Sequence, residues 1–281
     1  MQVKNLQIVF VIAAVVLAGC VGQPGTVGSG TAGVIITSFS PELPEIESGS
    51  KVLFLTTVKN VGDLEAKNVK LEVLGLEEWT GTTTKDISSL KPADPQRGLE
   101  GEESLQDFEL TAPTKQVGVT YTPAVRVTYN YESRPTIQFA FPTREAVRGT
   151  PQQSTATVTQ TGGPFVVSVR GNLPIISSEK KEATVQIEVQ NVGGGRAAKG
   201  SGTADVDFIR LSIASQSGAT FACTPTGDVR LVGGKSRLIS CKITFTNVPT
   251  AGTATATLDL KLEYAYFVET AASVTVLKEI K

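Results

Sequence analysis

The chain has no histidine, one tryptophan, one methionine and three cysteines among its 281 residues. Without histidine it lacks the commonest general base, proton shuttle and metal ligand. Neither a Ser-His-Asp nor a Cys-His catalytic set can be assembled. The cysteines show no Cys-x-x-Cys spacing, so a zinc site has no ligand set. Charge is sparse and balanced at 26 basic against 27 acidic side chains, net −1. That leaves no basic field to hold nucleic acid. A phosphate loop, a Gly-x-Ser-x-Gly elbow and an Asn-x-Ser/Thr sequon are all missing. The expectation is therefore a non-enzyme with no catalytic residue, no cofactor and no metal.

What the chain does contain begins with an address. Residues 1–20 carry one charge, Lys4, followed by an apolar run from Ile8 to Ala18. Crossing a bilayer takes about 20 apolar residues, and this shorter run fits the core of a signal peptide. It ends in Leu17-Ala18-Gly19-Cys20. These four residues resemble the lipobox of secreted lipoproteins. The resemblance implies cleavage before Cys20 and a diacylglycerol on its thiol, hence a cell-surface, membrane-anchored location. Two acyl chains hold a protein on a bilayer where one is marginal. A plain secretory signal ending in cysteine and an uncleaved short anchor are the other readings of these residues. Val21 to Gly33 is uncharged and rich in Gly, Ser and Thr, the composition of a flexible tether.

From Val34 onward the pattern is β. Val69, Leu71 and Val73 alternate with Lys70 and Glu72, and Val185, Ile187 and Val189 alternate with Gln186 and Glu188. Leu258 to Tyr266 alternates in the same way. Period two with one wet face marks antiparallel strands. No helical stripe of three or four turns follows residue 20.

The chain also repeats itself. Val34-Ile35-Ile36 recurs as Phe165-Val166-Val167, and Asn60-Val61-Gly62 recurs as Asn191-Val192-Gly193 at the same offset. Val125 to Tyr131 recurs as Leu260 to Tyr266 at a slightly larger offset, so a short insertion lies between. Similarity at such long spacing means duplicated domains. The expected organisation is a signal segment 1–20, a tether 21–33, a β-sandwich 34–142, a linker 143–163 and a second sandwich 164–281. Within the linker, Ala156-Thr157-Val158 has the composition to join an edge strand. Each copy has the size of a seven-stranded immunoglobulin-like sandwich.

Val58-Lys59-Asn60-Val61-Gly62-Asp63, then Ala66-Lys67-Asn68-Val69, resembles the cell-adhesion-related (CARDB-type) immunoglobulin-like domains of archaeal and bacterial surface proteins. The second copy keeps Val189-Gln190-Asn191-Val192-Gly193 and departs at Gly194-Gly195-Arg196 and a longer Gly200–Ala204 stretch. Asn-x-Gly is expected to reverse the strand because both residues tolerate positive φ. The resemblance implies a role in adhesion, envelope structure or presentation of a binding surface. A subunit of a filament or surface layer assembled by strand exchange is the alternative. The membrane, through the lipid, and a protein partner or second copy at sandwich edges are the partners in view.

The remaining polar and aromatic features have structural readings. Tyr129 and Tyr131, and Tyr264 and Tyr266, share a strand face with aliphatic residues and read as core. Trp79 reads as a lid over the first core. Cys223 and Cys241, both in an exported chain, read as one disulfide. Glu100, Glu102 and Glu103, and Asp205 and Asp207, lack EF-hand spacing and read as solvated charge. Residues 34–142 hold 10 basic and 16 acidic side chains, and residues 143–281 hold 15 and 11. That asymmetry suits docking of one copy on the other or head-to-tail association.

Overall fold

The computed structural model describes residues 32–149, 155–170, 182–199, 205–245 and 252–279. Its first strands are β1 (Val34–Pro41), β2 (Glu45–Ile46), β3 (Lys51–Asn60), β4 (Ala66–Leu74), β5 (Thr80–Gly81) and β6 (Thr84–Leu90). Then come β7 (Glu103–Thr111), β8 (Val119–Tyr121), β9 (Ala124–Ser133) and β10 (Thr136–Pro142). A short helix α1 (Arg144–Gly149) precedes β11 (Thr155–Thr159), β12 (Phe165–Arg170), β13 (Glu182–Asn191), β14 (Arg196–Ala198) and β15 (Phe208–Ser217). The chain closes with β16 (Ala219–Thr224), β17 (Gly227–Arg230), β18 (Ser236–Phe245), β19 (Thr253–Ala271) and β20 (Val274–Val276). The fold is all-β, and its pairings are antiparallel except for the short parallel contact of β2 with β20.

Alternation decides which face of each strand is buried. In β9, Val125, Val127, Tyr129 and Tyr131 are buried, while Arg126, Thr128, Asn130 and Glu132 face outward between them. In β3, Val52, Phe54 and Val58 point inward. Each such side chain removed from water contributes about 1.5–3 kcal/mol. These inward faces merge into one apolar cluster that runs through both copies.

The repeat is visible in the pairing. One four-stranded sheet has the order β1-β3-β7-β5, and another has β12-β13-β18-β16. Val34 pairs with Asn60 and Phe165 with Asn191, the same register in equivalent positions of the two copies. A nine-stranded sheet runs β11-β10-β19-β9-β4-β6, with β14 and β15 also on β19 and β17 on β15. Thr155–Thr159, inside the stretch expected to connect the copies, is thus a strand at the end of this sheet.

One ladder joins the two copies. Val119 pairs with Val276, Asn130 with Ala265 and Pro142 with Thr253, and each step forward on one side is a step back on the other. The register is therefore constant from β8 through β9 to β10 against β20 and β19. The strand that follows each central strand crosses to the other copy. Phe139 and Phe141 of β10 place their rings 5.6 Å from Phe221 and 5.0 Å from Phe245 of the second copy. In return, Val274 and Val276 of β20 are fully buried, and Thr275 and Leu277 donate backbone hydrogen bonds to Pro44 and Ile46 at 2.9 and 2.8 Å.

Candidate functional site

The repeated Asn-Val-Gly turn is a built polar device. Asn60 donates from Nδ2 to the carbonyls of Leu64 and Leu90, both at 2.8 Å, and its Oδ1 accepts from the Gly62 N–H at 3.0 Å. Asn191 repeats this with Gly195 and Gly234 at 2.9 and 3.0 Å and with the Gly193 N–H at 3.2 Å. A tyrosine closes each turn: Tyr131 Oη accepts from the Leu64 N–H and Tyr266 Oη from the Gly195 N–H, both at 2.9 Å. Tyr266 also donates to Asn191 Oδ1 at 2.7 Å. The expectation of positive φ at this turn is not met, since neither asparagine nor Gly62 nor Gly193 takes it. The glycines serve close approach instead. A Cβ on Gly62 would lie 2.2 Å from Tyr131 Oη, and one on Gly193 would lie 2.7 Å from Tyr266 Oη.

The four tyrosines meet where β9 pairs with β19. Tyr129 lies 5.8 Å from Tyr266 and Tyr131 lies 6.2 Å from Tyr264, ring centre to ring centre. All four are buried, as read from their alternation. Burial pushes the Tyr131 and Tyr266 phenols up to about 12, and raises Tyr129 and Tyr264 further. Trp79 is also buried, edge-on to Phe54 at 5.8 Å and to Tyr121 at 5.5 Å.

On the opposite, solvent face of this junction lies a groove of about 840 Å³, within the size range of small-ligand sites. Its floor is the row Lys67–Asn130–Ala265–Ala198 across four strands. The two small alanines are buried and make the low point. The next row, Glu132–Glu263–Arg210–Asp228, forms a wall. Glu132 and Glu263 are directly opposed, a repulsive arrangement, and Lys261 Nζ bridges them at 3.3 and 2.8 Å. Arg134, 2.7 Å from Glu132, and then Lys261 hold its carboxyl below the usual range. Lys199, 2.8 Å from Asp228, does the same there, with Arg210 adding to it. Asn68 sits at φ 52° in the ladder irregularity between Lys67 and Lys70 and lines the rim. Asparagine tolerates that conformation better than most residues. Amides and compensated charges of both signs suit reversible polar contacts.

The other residues singled out in the sequence separate clearly. Leu17, Ala18, Gly19 and Cys20 lie outside the described residues. Cys223 and Cys241 form a disulfide between paired positions of β16 and β18. Glu100 pairs with Lys59 at 2.5 Å, and Glu102 accepts from the Lys91 N–H at 2.8 Å. Asp207 is not solvated as expected: it is buried and holds Arg196 through two hydrogen bonds, at 3.1 and 2.8 Å. Among the described residues, no group of three His, Cys, Asp or Glu is placed to hold a metal ion.

A scan against protein-family models gives no match, and a search of curated proteins gives no relative.

Proposed function

We propose that the chain is a non-enzymatic, extracytoplasmic lipoprotein, anchored through Cys20, that presents a rigid binding surface in adhesion or envelope structure. Residues 34–142 and 164–281 are two immunoglobulin-like sandwiches on a Val21–Gly33 tether, similar to CARDB-type domains. The order β1-β3-β7-β5 and its repeat β12-β13-β18-β16 support the sandwich reading. The disulfide suits an oxidising compartment.

The observation that carries the presentation role is the shared ladder. It couples the two copies edge to edge and sets the polar groove on their joint outer face. Tandem domains on a simple linker move independently by default, whereas domains sharing a sheet hold a partner surface in fixed geometry. A filament built by strand exchange is the weaker reading, because β10 and β20 already find their places inside one chain.

The test is mass spectrometry of the amino-terminal peptide from membrane-extracted protein, with protease shaving of intact cells. A start at Cys20 with the added mass of lipid, and digestion from outside, is expected. An intact amino terminus or protection from external protease overturns the reading.

A further inference from the structure

Edge strands present unpaired backbone groups, and proteins blunt them with charge, proline, bulges or side-chain plugs. Apart from β11, each edge strand longer than three residues carries such a device. β1 has a register shift between Ile36 and Ser38 and ends in Pro41. On β12 the Val167 N–H is taken by Gln160 Oε1 at 2.8 Å, and on β16 the Phe221 N–H is taken by Gln216 Oε1 at 2.7 Å. β6 carries Lys85 and Asp86, and β17 carries Asp228 and Arg230. β5 has two residues.

β11 is different. It ends the nine-stranded sheet, with β10 on one side. Its sequence, Thr-Ala-Thr-Val-Thr, has no charge, no proline and high β-propensity. No charged side chain occurs from Gly149 to Val169. Among the described residues, no backbone hydrogen bond beyond the β10 ladder involves 155–159. Ala156 and Val158 pack on the core yet remain partly exposed at the rim.

We propose that β11 is a strand-addition edge whose partner is β11 of a second copy of this chain, paired antiparallel about Thr157. The sequence is self-complementary in that register. Thr157 meets its own copy, Thr155 meets Thr159, and Ala156 meets Val158. Threonines then lie beside threonines, the two half-exposed apolar residues cover each other, and no like charges oppose. Such a contact is isologous, as a two-fold dimer requires. It also continues a mode the chain already uses, since its own copies join by antiparallel pairing of equivalent strands. A five-residue edge makes a small interface and a weak dimer, one that crowding on a surface would favour. The assignment does not depend on whether Cys20 carries lipid.

The test uses the full chain in detergent. Sedimentation equilibrium and amide hydrogen exchange are followed from about 1 μM to about 1 mM, the range of weak association. A monomer–dimer equilibrium is expected, with protection at residues 155–159 that grows with concentration. Thr157→Lys sets two like charges face to face at the axis and weakens dimerisation at least about tenfold. Thr157→Val keeps it. Exchange at 155–159 independent of concentration, in protein whose other strands stay protected, overturns the assignment. Association equally tight in Thr157→Lys overturns it as well and places self-contact elsewhere, including the apolar amino terminus.

Discussion

Asn130 and Ala265 face each other across β9 and β19, and they are also each other's counterparts in the internal repeat. A residue can pair with its own equivalent only where a two-fold axis passes. The pairing of β9 with β19 is thus isologous in the sense of a homodimer contact. Reciprocal crossing of β10 and β20 follows from the same axis, because each strand simply continues past it.

The crossing predicts one cooperative unfolding transition. Trp79, the single tryptophan, reports the first copy, and far-ultraviolet circular dichroism reports all strands. Their urea midpoints should coincide, the usual test of two-state behaviour. Phe139→Ala, a change in the first copy, removes a ring packed on Phe221 of the second. It should cost about 3–5 kcal/mol and shift both probes together. Two separated transitions would show the copies to be independent.

Steric fit at the turns predicts a specific rescue. Gly62→Ala forces a methyl into the Tyr131 hydroxyl and should cost about 1–3 kcal/mol. Tyr131→Phe alone loses the bond from the Leu64 N–H, at about 1–2 kcal/mol. In the double variant the clash is relieved, so the combined loss should fall below the sum of the two. Full additivity in a denaturant double-mutant cycle would remove the hydroxyl as the reason for glycine.

These two relationships were not equally legible in the sequence. The alternation in Val125–Tyr131 and Leu260–Tyr266 identified strands and placed the tyrosines inward, because period two fixes a face. It does not fix a partner: Phe139 and Phe141 alternate equally well whichever core receives them. The crossing of β10 into the second copy was therefore invisible. The Asn-Val-Gly repeat was legible as a turn, but the glycine at Gly62 answers to Tyr131, several strands further along the chain. No local pattern reports across that separation. The groove was hidden for a related reason. Its low point is the alanine pair Ala198 and Ala265, and its wall sets Glu132 against Glu263 from strands far apart in sequence.

The disulfide predicts an uneven loss of stability. It spans 18 residues between β16 and β18, and the first copy has no equivalent. Loop entropy gives about 3 kcal/mol. Cys223→Ala/Cys241→Ala should lower the unfolding free energy by that amount, read as a lower urea midpoint. Because the copies share a ladder, the loss should appear in the Trp79 signal as well, although Trp79 lies in the other copy. A drop confined to exchange in β16 and β18, with the Trp79 midpoint unchanged, would argue against coupling.

Tyrosine ionisation supplies a test of the junction that needs no substitution. All five tyrosines are held above the ordinary phenol range, Tyr121 by partial burial and its bond to Glu78, the others by burial first. A phenol whose folded value is raised favours the neutral form, so the native state retains a proton that the unfolded state has lost. The stabilisation is complete below about pH 10 and falls as pH rises toward about 12, the value for Tyr131 and Tyr266. Ultraviolet titration should therefore show little phenolate at about pH 10.5, then a steep rise coincident with loss of the β circular dichroism signal. Ordinary titration of four or five phenols near pH 10, with the strands intact, would mean that the β9–β19 junction is open to water and the tyrosines are not its core.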